Sequence, residues 1–440
     1  MPAKPYGDGI EYEAIAFSLV ESGEFRVDTS NVRWRQPYEQ HPDVYAELLS
    51  RPTYNRLSTG RPPLVPAFIA LIYLIVGRNQ LGFAAVHIAF AVMIAVAQAL
   101  SVAMVVWYGQ RSSRSAAEIA PPMSCAVAVA AAVTLLLAGA HRTISDYATD
   151  FLTEPAALFL TQVFVLCGIE TSRRSNAFYF SHADVEVRQP GAALAVRWLV
   201  PGIVAGLMIL ARSIFFVWLP GIALMVALAE RRHRLRAVWA VAGLVCGAGC
   251  VCAPWWVRNC VVSKSFMPLG TQGAIALLGG YNDVARESGG EWQFAAELQL
   301  REEMSQRPAF RSASEEQREV MLARAAQQRV SRWIGKNWDE LPAMFVRRVI
   351  THWNPYDAKT LGWRLLIVLG AIEVMRHGQG FRVWLLGLPV VSTLVVAGLY
   401  SVGGRFLVPC HGVLYVLAGL GGLFMARTAL RLSHRRLVQA

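Results

Sequence analysis

The amino-acid sequence predicts an all-α polytopic membrane protein of about nine transmembrane helices, with a short interfacial or re-entrant helix and extracytoplasmic helical loops. Three observations support this fold class. The 440 residues are 55% hydrophobic and only 16% charged, apolar runs recur along the chain, and arginines cluster between those runs. This composition excludes an ordinary soluble enzyme. The net charge of +12 is spread over short clusters, which argues against a nucleic-acid partner and for a lipid bilayer.

Nine apolar runs are candidates to cross the hydrocarbon core. They are Ala84–Tyr108, Met123–Ala140, Phe151–Ile169, Ala193–Ala211, Ile214–Ala229, Ala237–Ala253, Leu361–Met375, Val383–Tyr400 and Phe406–Ala426. A further run, Leu64–Val76, has 13 residues and contains Pro66. As a helix it would reach about 20 Å, short of a core about 30 Å thick. It is therefore predicted to be interfacial or re-entrant.

The arginines between the runs predict the orientation. The loops on one side hold fifteen of them: Arg111, Arg114, Arg173, Arg174, Arg188, Arg231, Arg232, Arg234, Arg236, Arg376, Arg382, Arg427, Arg431, Arg435 and Arg436. The short loops on the other side hold three: Arg142, Arg212 and Arg405. Cytoplasmic loops are the arginine-rich ones. The sequence therefore divides into an extracytoplasmic first loop (1–62), a first membrane part (63–253), an extracytoplasmic helical segment (254–360) and a second membrane part (361–440).

Two local patterns refine this division. Ser314-Glu-Glu-Gln317 has the spacing of a capping box, which predicts a helix from Glu315 to about Ile334 on the surface of the membrane domain. The seven cysteines fall mostly inside apolar runs, with no CxxC pair. Packing thiols are therefore predicted, in preference to a disulfide frame or a zinc site.

Two pairs of carboxylates are candidates for acid–base chemistry on the outer side. Asp8 and Glu11 lie in Tyr6-Gly-Asp-Gly-Ile-Glu-Tyr12, three residues apart, so both would face the same way in a helical turn. Asp150 and Glu154 lie one turn apart at the outer end of the third span. A carboxylate just inside a span is unfavourable unless it is paired or lines a wet cavity. The alternatives are a solvated loop for the first pair and a role in helix packing for the second.

Four arginines and an amide are predicted on the same outer side. Arg61, Arg212, Arg258 and Arg405 each lie next to an apolar run, and Asn282 ends the loop Gly279-Gly-Tyr-Asn282. Planar guanidinium groups and free backbone N–H groups suit a phosphate. Arginines that merely reach the interface, and a simple turn, are the alternatives.

These residue types together fit group transfer from a lipid phosphate. No nucleophile with a neighbouring base, no P-loop and no HExxH motif is present. Arginines would neutralise the leaving phosphate, and a carboxylate would take the proton of an acceptor hydroxyl. No cofactor is indicated, although the acidic pair could hold a divalent metal ion.

Several segments in order along the chain resemble one family of membrane enzymes. They are Gly7-Asp-Gly-Ile-Glu-Tyr12, Arg61-Pro-Pro-Leu-Val-Pro66, Gly77-Arg-Asn79, Leu152-Thr-Glu-Pro155, Ala253-Pro-Trp-Trp-Val-Arg-Asn259, Phe266-Met-Pro268, Gly279-Gly-Tyr-Asn282, Arg347-Arg-Val-Ile-Thr-His-Trp-Asn-Pro355 and Arg405-Phe-Leu-Val-Pro409. The set resembles the membrane-embedded glycosyltransferases of the C superfold, which include protein O-mannosyltransferases and lipid A aminoarabinose transferases.

The resemblance implies an inverting transferase that moves a sugar from a polyprenyl-phosphate donor to an extracytoplasmic hydroxyl of a glycan, lipid or protein. Asp8 would be the catalytic base, Arg61 and Arg258 would hold the phosphate, and Glu154, or Asp150 in its place, would support the site. A multi-pass protein of the bacterial inner membrane is expected. The resemblance also implies a transmembrane helix upstream of the acidic loop.

Two other functions are compatible with the same residues. Outward-facing arginines would also suit a transporter or flippase of an anionic lipid-linked substrate, which would carry charges deep in its spans. The third interpretation is a non-catalytic membrane homologue that lacks the first helix.

Overall fold

The computed structural model describes residues 7–50, 53–113, 120–141, 144, 146–180, 191–231, 234–268, 270–355, 357–378, 380–399 and 404–439. Tyr6, Arg114, Arg142, Arg188, Arg232 and Tyr400, which enter the expectations above, lie outside these residues.

The described chain is almost entirely helical. The N-terminal region contains α1 (Gly9–Ser22), β1 (Arg26–Asp28), α2 (Val32–Glu39), α3 (Pro42–Leu49), β2 (Asn55–Leu57) and α4 (Leu64–Val76). Six longer helices follow: α5 (Gln80–Ser113), α6 (Ala120–Gly139), α7 (Glu154–Phe180), α8 (Gly191–Ala211), α9 (Phe215–Ala229) and α10 (Arg234–Ser263). The second polar region contains α11 (Gln272–Gly280), α12 (Asp283–Glu287), α13 (Ala295–Ser305), α14 (Pro308–Arg311), α15 (Glu315–Lys336) and α16 (Leu341–Trp353). The chain ends with α17 (Ala358–His377), α18 (Arg382–Leu399), a 3₁₀ helix (Gly404–Cys410) and α19 (His411–Gln439).

Among the described residues, six helical segments are long and apolar enough to cross a membrane. They are Gln80–Arg111, Glu154–Ser175, Gly191–Ala211, Arg234–Ser263, Arg382–Leu399 and Arg405–Ser433. Helices Leu64–Val76, Cys125–Gly139 and Phe215–Ala229 are apolar but shorter. The structure thus supports an all-α membrane-type protein, whereas the count of nine spans is not confirmed. The predicted span Leu361–Met375 lies in α17, which is not among the six because it carries Lys359, Arg364, Glu373 and Arg376.

The helix bundle is built on close approaches between neighbouring helices. A Cβ on Gly243 of α10 would lie 2.1 Å from the carbonyl oxygen of Ala195 on α8, and one on Gly202 of α8 would lie 2.4 Å from that of Leu244. Glycines at these positions let the two backbones touch, as small residues do between membrane helices. The stacked indoles of Trp198 and Trp384, whose centroids are 5.9 Å apart, are fully buried in the core of the bundle.

The two polar regions pack against each other at one end of the bundle. Strand β1 pairs with β2 in antiparallel register, with Val27 opposite Arg56. The first turn of α15 then accepts hydrogen bonds from β2: Glu315 from the amide of Asn55 (3.0 Å) and Glu316 from that of Leu57 (3.1 Å). These carboxylates accept hydrogen bonds from backbone N–H groups of β2 that would otherwise lack an acceptor at the edge of the sheet.

Two of the local expectations are confirmed. Helix α4 has the bounds Leu64–Val76, and the capping box opens α15 at Ser314, with both of its reciprocal hydrogen bonds present. The buried face of α15, which includes Leu322, Ala326 and Val330, packs against Ile275 and Leu278 of α11. This second polar region therefore has an apolar core of its own.

Arg348 fixes the second polar region to the bundle. Its buried guanidinium donates to the carbonyl oxygens of Gly290 (3.0 Å), Ala397 (3.1 Å) and Gly280. Replacing Arg348 with Ala would leave these carbonyls without their charged donor, so we expect a loss of at least about 3 kcal/mol in the free energy of unfolding. Arg347→Ala, which removes the exposed neighbour, is the matched control. Thermal unfolding in detergent checks the prediction, and equal midpoints for the two variants would contradict it.

Candidate active site

Arg61 joins two carboxylates at the start of α1. Its Nη1 lies 2.8 Å from Asp8 Oδ1, and its Nε donates to Glu11 Oε2 at 2.7 Å. The guanidinium also lies over the ring of Tyr12, 5.4 Å from its centroid. The sequence predicted that Asp8 and Glu11 face the same way, and a single arginine does bind both.

A second arginine extends this set into the helix bundle. Arg405 Nη2 lies 2.9 Å from Asp8 Oδ2, and its Nε donates to Glu154 Oε1. The same Glu154 oxygen accepts from Arg212 Nη1 at 3.2 Å. Three carboxylates and three arginines thus alternate in sign, and we call Glu11, Arg61, Asp8, Arg405, Glu154 and Arg212 the charge network.

The local backbone directs Asp8 toward its arginines. Gly7, with φ of 78°, turns the chain just before α1, in a region of backbone space that glycine occupies readily. The carbonyl oxygen of Asp8 accepts from the amides of Glu11 and Tyr12, both at 3.2 Å, so the residue begins the helix. Its side chain makes no capping hydrogen bond. The carboxylate therefore binds Arg61 and Arg405 instead of the helix terminus.

Arg405, Glu154 and Arg212 form the inner half of the charge network, and they come from three separate helix ends. Glu154 is the first residue of α7 and is completely buried. Arg212 directly follows α8, and Arg405 belongs to the 3₁₀ helix that precedes α19. The guanidinium of Arg212 also lies over the ring of Phe406, 5.3 Å from its centroid. A buried carboxylate is stable only with such partners.

Glu11, Arg61 and Asp8 form the outer half of the charge network, and they are part of the wall of a large cavity. The cavity has a volume of about 770 Å³, within the range of small-molecule sites, and Asp8, Glu11 and Arg61 line it. Residues of the second polar region between 272 and 322, including Glu319 of α15, also line it. The N-terminal region and the second polar region therefore enclose one compartment beside the ends of the apolar helices.

Positive charge controls the protonation of the two acids. The Arg61 guanidinium, aided by Arg405 and against the effect of burial, holds the pKa of Asp8 well below its ordinary value of 3.8. Burial raises the pKa of Glu11, but the charge and hydrogen bond of Arg61 outweigh it and leave the pKa below 4.5. Both groups are carboxylates at neutral pH.

Arg258 lies at the same end of the molecule, but its hydrogen bonds go elsewhere. Its Nη1 donates to the carbonyl oxygen of Ser58 (2.5 Å), and its Nη2 to that of Phe25 (3.2 Å). The guanidinium lies over the rings of Trp255 (4.9 Å) and Phe25 (5.4 Å). Arg258 thus attaches the turn between β2 and Arg61 to the end of α10, and the residues that line the cavity do not include it.

Two other candidate residues also lie apart from the cavity lining. Asn282 caps α12: its Oδ1 accepts from the amide of Ala285 (2.8 Å), and its Nδ2 donates to the carbonyl oxygens of Leu278 and Gly279 (both 2.9 Å). Asp150 lies in the turn before α7, where its carbonyl oxygen accepts from the amide of Leu152 (2.8 Å). Asn282 thus caps α12, and its predicted contact with an anion stays a prediction.

Sequence reasoning missed a buried group centred on Glu13. This carboxylate accepts from Trp34 Nε1, from Arg78 Nε (2.7 Å) and from the Tyr73 hydroxyl (3.2 Å). The group joins α1, α2 and the turn between α4 and α5. The only signal in the sequence was Arg78 in Gly77-Arg-Asn79, whose partner lies 65 residues earlier in the chain.

A second missed carboxylate, Glu319 of α15, also lines the cavity. Its Oε1 accepts from Thr271 Oγ1 at 2.5 Å, and its Oε2 lies 3.6 Å from Arg56 Nε. Burial raises the pKa of Glu319 above 4.5 in spite of Arg56 and Thr271. Its position in an amphipathic helix gave no sign of this environment.

No protein-family model, curated protein or solved structure matches the chain. Within the described ranges, no group of three His, Cys, Asp or Glu residues is arranged to hold a metal ion. The acids of the charge network are bound to arginines instead.

Proposed function

We propose that the protein is an integral membrane glycosyltransferase that moves a sugar from a polyprenyl-phosphate donor to an acceptor hydroxyl, with inversion at the anomeric carbon. One observation carries the proposal: Asp8, a carboxylate on the wall of a large cavity, is bound by two arginines that come from different ends of the chain. A base beside fixed positive charge is what this transfer requires. The resemblance described above points to the same reaction.

In the proposed reaction, the acceptor oxygen attacks the anomeric carbon as the bond between that carbon and the phosphate oxygen breaks. The bonding electrons leave with the phosphate, and the acceptor proton passes to Asp8. Arg61 and Arg405 would neutralise the phosphate, with Glu154 and Arg212 keeping Arg405 in place. As the donor phosphate draws positive charge away from Asp8, the pKa of the carboxyl would rise, and the carboxylate would become a stronger base.

The proposed topology places this site at the outer surface of a bacterial inner membrane. It includes nine crossings, of which α6, α9 and α17 are the three outside the six long apolar segments, and it follows the arginine bias of the loops. The charge network would then lie at the boundary between lipid and water, within reach of a lipid phosphate and of an acceptor in the cell envelope.

The pH dependence of transfer tests the role of Asp8. Because Arg61 and Arg405 lower the pKa of Asp8 in the free protein, its carboxylate stays deprotonated to a pH well below the ordinary pKa of 3.8. We expect the acid limb of kcat/KM in that region, and the acid limb of kcat at a higher pH, since kcat reports the donor complex. Profiles measured over pH 3–9 check this. An acid limb of kcat that lies below that of kcat/KM would contradict it.

A reconstituted system separates the proposed transferase from a flippase. The protein is placed in proteoliposomes with radiolabelled polyprenyl-phosphate hexoses and pentoses and with a mixture of acceptors. The transferase releases polyprenyl phosphate and labelled product. Movement of intact donor between leaflets without cleavage would instead show a transporter, and neither outcome with any donor would favour the non-catalytic alternative.

A further inference from the structure

The part of the cavity wall that comes from the second polar region carries exposed aromatic rings that the proposed chemistry does not use. Trp292 is 36% exposed and Phe294 is 51% exposed, and both line the cavity. Their ring centroids are 6.1 Å apart with an interplanar angle of 32°. Large aromatic surface left in contact with water is unfavourable, and it commonly marks a place where a ligand binds.

A hydrogen bond and close packing against Gly279 hold the Trp292 ring in this position. Its Nε1 donates to the carbonyl oxygen of Ala276 at 3.0 Å. The indole also lies directly against Gly279, where any Cβ would come within 2.0 Å of Trp292 Nε1. The amide of Gln293 donates to the carbonyl oxygen of Gly279 at 2.9 Å, which ties the same two segments together. Gly279 of the loop Gly279-Gly-Tyr-Asn282 therefore makes room for a preformed aromatic face.

The charged groups near the aromatic rings are already paired within the protein, which disfavours a charged occupant in this part of the cavity. The lining contains five acids (Asp8, Glu11, Glu297, Glu315 and Glu319) and five arginines (Arg35, Arg56, Arg61, Arg301 and Arg318). On the side of the aromatic rings these groups already have protein partners. Arg301 Nη2 lies 2.7 Å from Glu297 Oε1, and Arg318 donates to the carbonyl oxygens of Phe310 and Arg311.

One buried acceptor on this wall still lacks a donor. Among the described residues, Glu319 Oε2 has no hydrogen-bond partner, and its nearest cation, Arg56 Nε, is 3.6 Å away. Glu319 is 9% exposed and lines the cavity. A buried carboxylate oxygen is stabilised when a ligand hydroxyl donates to it.

We propose that this half of the cavity binds the acceptor, and that the acceptor is a neutral carbohydrate. The C–H groups of a sugar ring would pack on the electron-rich face of Trp292, with Phe294 beside it. A ring hydroxyl would donate to Glu319 Oε2, while another hydroxyl is directed toward Asp8. That the bound carbohydrate is the acceptor rests on the proposed transferase function. That a carbohydrate binds here rests only on the residues of this cavity wall.

Ligand-observed saturation-transfer NMR on the full chain in nanodiscs tests the inference in the absence of donor. The probes are neutral oligosaccharides of glucose, mannose, galactose and N-acetylglucosamine, with a neutral Ser/Thr-containing hexapeptide for comparison. We expect at least one oligosaccharide to bind, with a dissociation constant raised tenfold or more by Trp292→Ala. Trp338→Ala, which removes an indole that is 71% exposed and outside the cavity lining, should leave binding unchanged. Phe294→Ala, expected to weaken binding at least threefold, serves as a second variant if Trp292→Ala unfolds.

The possible results separate this inference from the proposed function. Absence of binding by every oligosaccharide, binding of the peptide alone, or equal affinity in the wild type and in a folded Trp292→Ala variant would overturn it. If an oligosaccharide binds through Trp292 but no donor is cleaved, the carbohydrate site stands and the transferase does not. If sugar is transferred equally well by Trp292→Ala, the transferase stands and this acceptor site does not.

Discussion

Replacement of Asp8 by Asn is expected to lower the rate of sugar transfer by about 10²–10⁴-fold, the usual contribution of a general base. The amide keeps the shape of the carboxyl group but cannot take a proton. It also removes one negative charge between Arg61 and Arg405, so their positive charge becomes more available to a donor phosphate. We therefore expect kcat to fall while KM for the donor stays equal or decreases.

Glu21→Gln is the matched control for this change. Glu21 lies on the same helix α1, but it is exposed and pairs with Arg33 at the surface. Its replacement should leave kcat and KM unchanged. An Asp8→Asn variant that is folded and transfers sugar at the rate of Glu21→Gln would remove Asp8 from the reaction.

The second large effect is expected at the buried end of the charge network. Arg212→Met removes one of three arginines and leaves three carboxylates with two cations. Since Arg212 and Glu154 are both buried, the loss should reduce the free energy of unfolding by about 3–5 kcal/mol. Glu154→Gln reverses the imbalance and should also destabilise the protein.

The double variant Arg212→Met/Glu154→Gln distinguishes charge balance from packing. It restores equal numbers of acids and arginines, so it should unfold at a higher temperature than either single variant. Arg33→Met is the control, because its pair with Glu21 is exposed and contributes little. Additive losses in the double variant, measured by thermal unfolding in detergent, would show that the charges act independently.

Features set by neighbouring residues were predictable from the sequence. The bounds of α4 follow from the prolines before Leu64 and from Gly77 after Val76, and the capping box at Ser314 fixes the start of α15. The shared direction of Asp8 and Glu11 follows from helical spacing. Each of these depends on residues within one or two turns of each other.

Contacts between residues that lie far apart in the sequence could not be predicted in this way. Asp8 meets Arg405 almost 400 residues later in the chain, and no local pattern indicates which outer arginine binds it. Arg258 has the same sequence context as the arginines of the charge network, yet it binds the carbonyl oxygens of Ser58 and Phe25 because α10 ends beside that turn. The number of spans was uncertain for a related reason, since whether Arg364 and Glu373 can lie in a membrane depends on their partners in other helices.

The positions of Glu319 and Trp292 on the cavity wall could not be predicted, because the local sequence around each has an ordinary explanation. The sequence indicates that Glu319 is a polar position of an amphipathic helix and that Trp292 belongs to a Gly-rich loop. Glu319 reaches the cavity wall because α15 packs against the N-terminal region. Trp292 reaches it because its indole packs against Gly279.

A single-turnover reaction tests the central claim most directly. Purified protein in excess is mixed with each radiolabelled polyprenyl-phosphate sugar and an acceptor mixture, and both the polyprenyl phosphate released and the anomeric configuration of the product are measured. We predict one polyprenyl phosphate for each sugar transferred, an inverted anomeric centre, and loss of both signals in Asp8→Asn. Product with a retained anomeric centre, or turnover that Asp8→Asn leaves intact, would contradict a reaction in which Asp8 activates the acceptor.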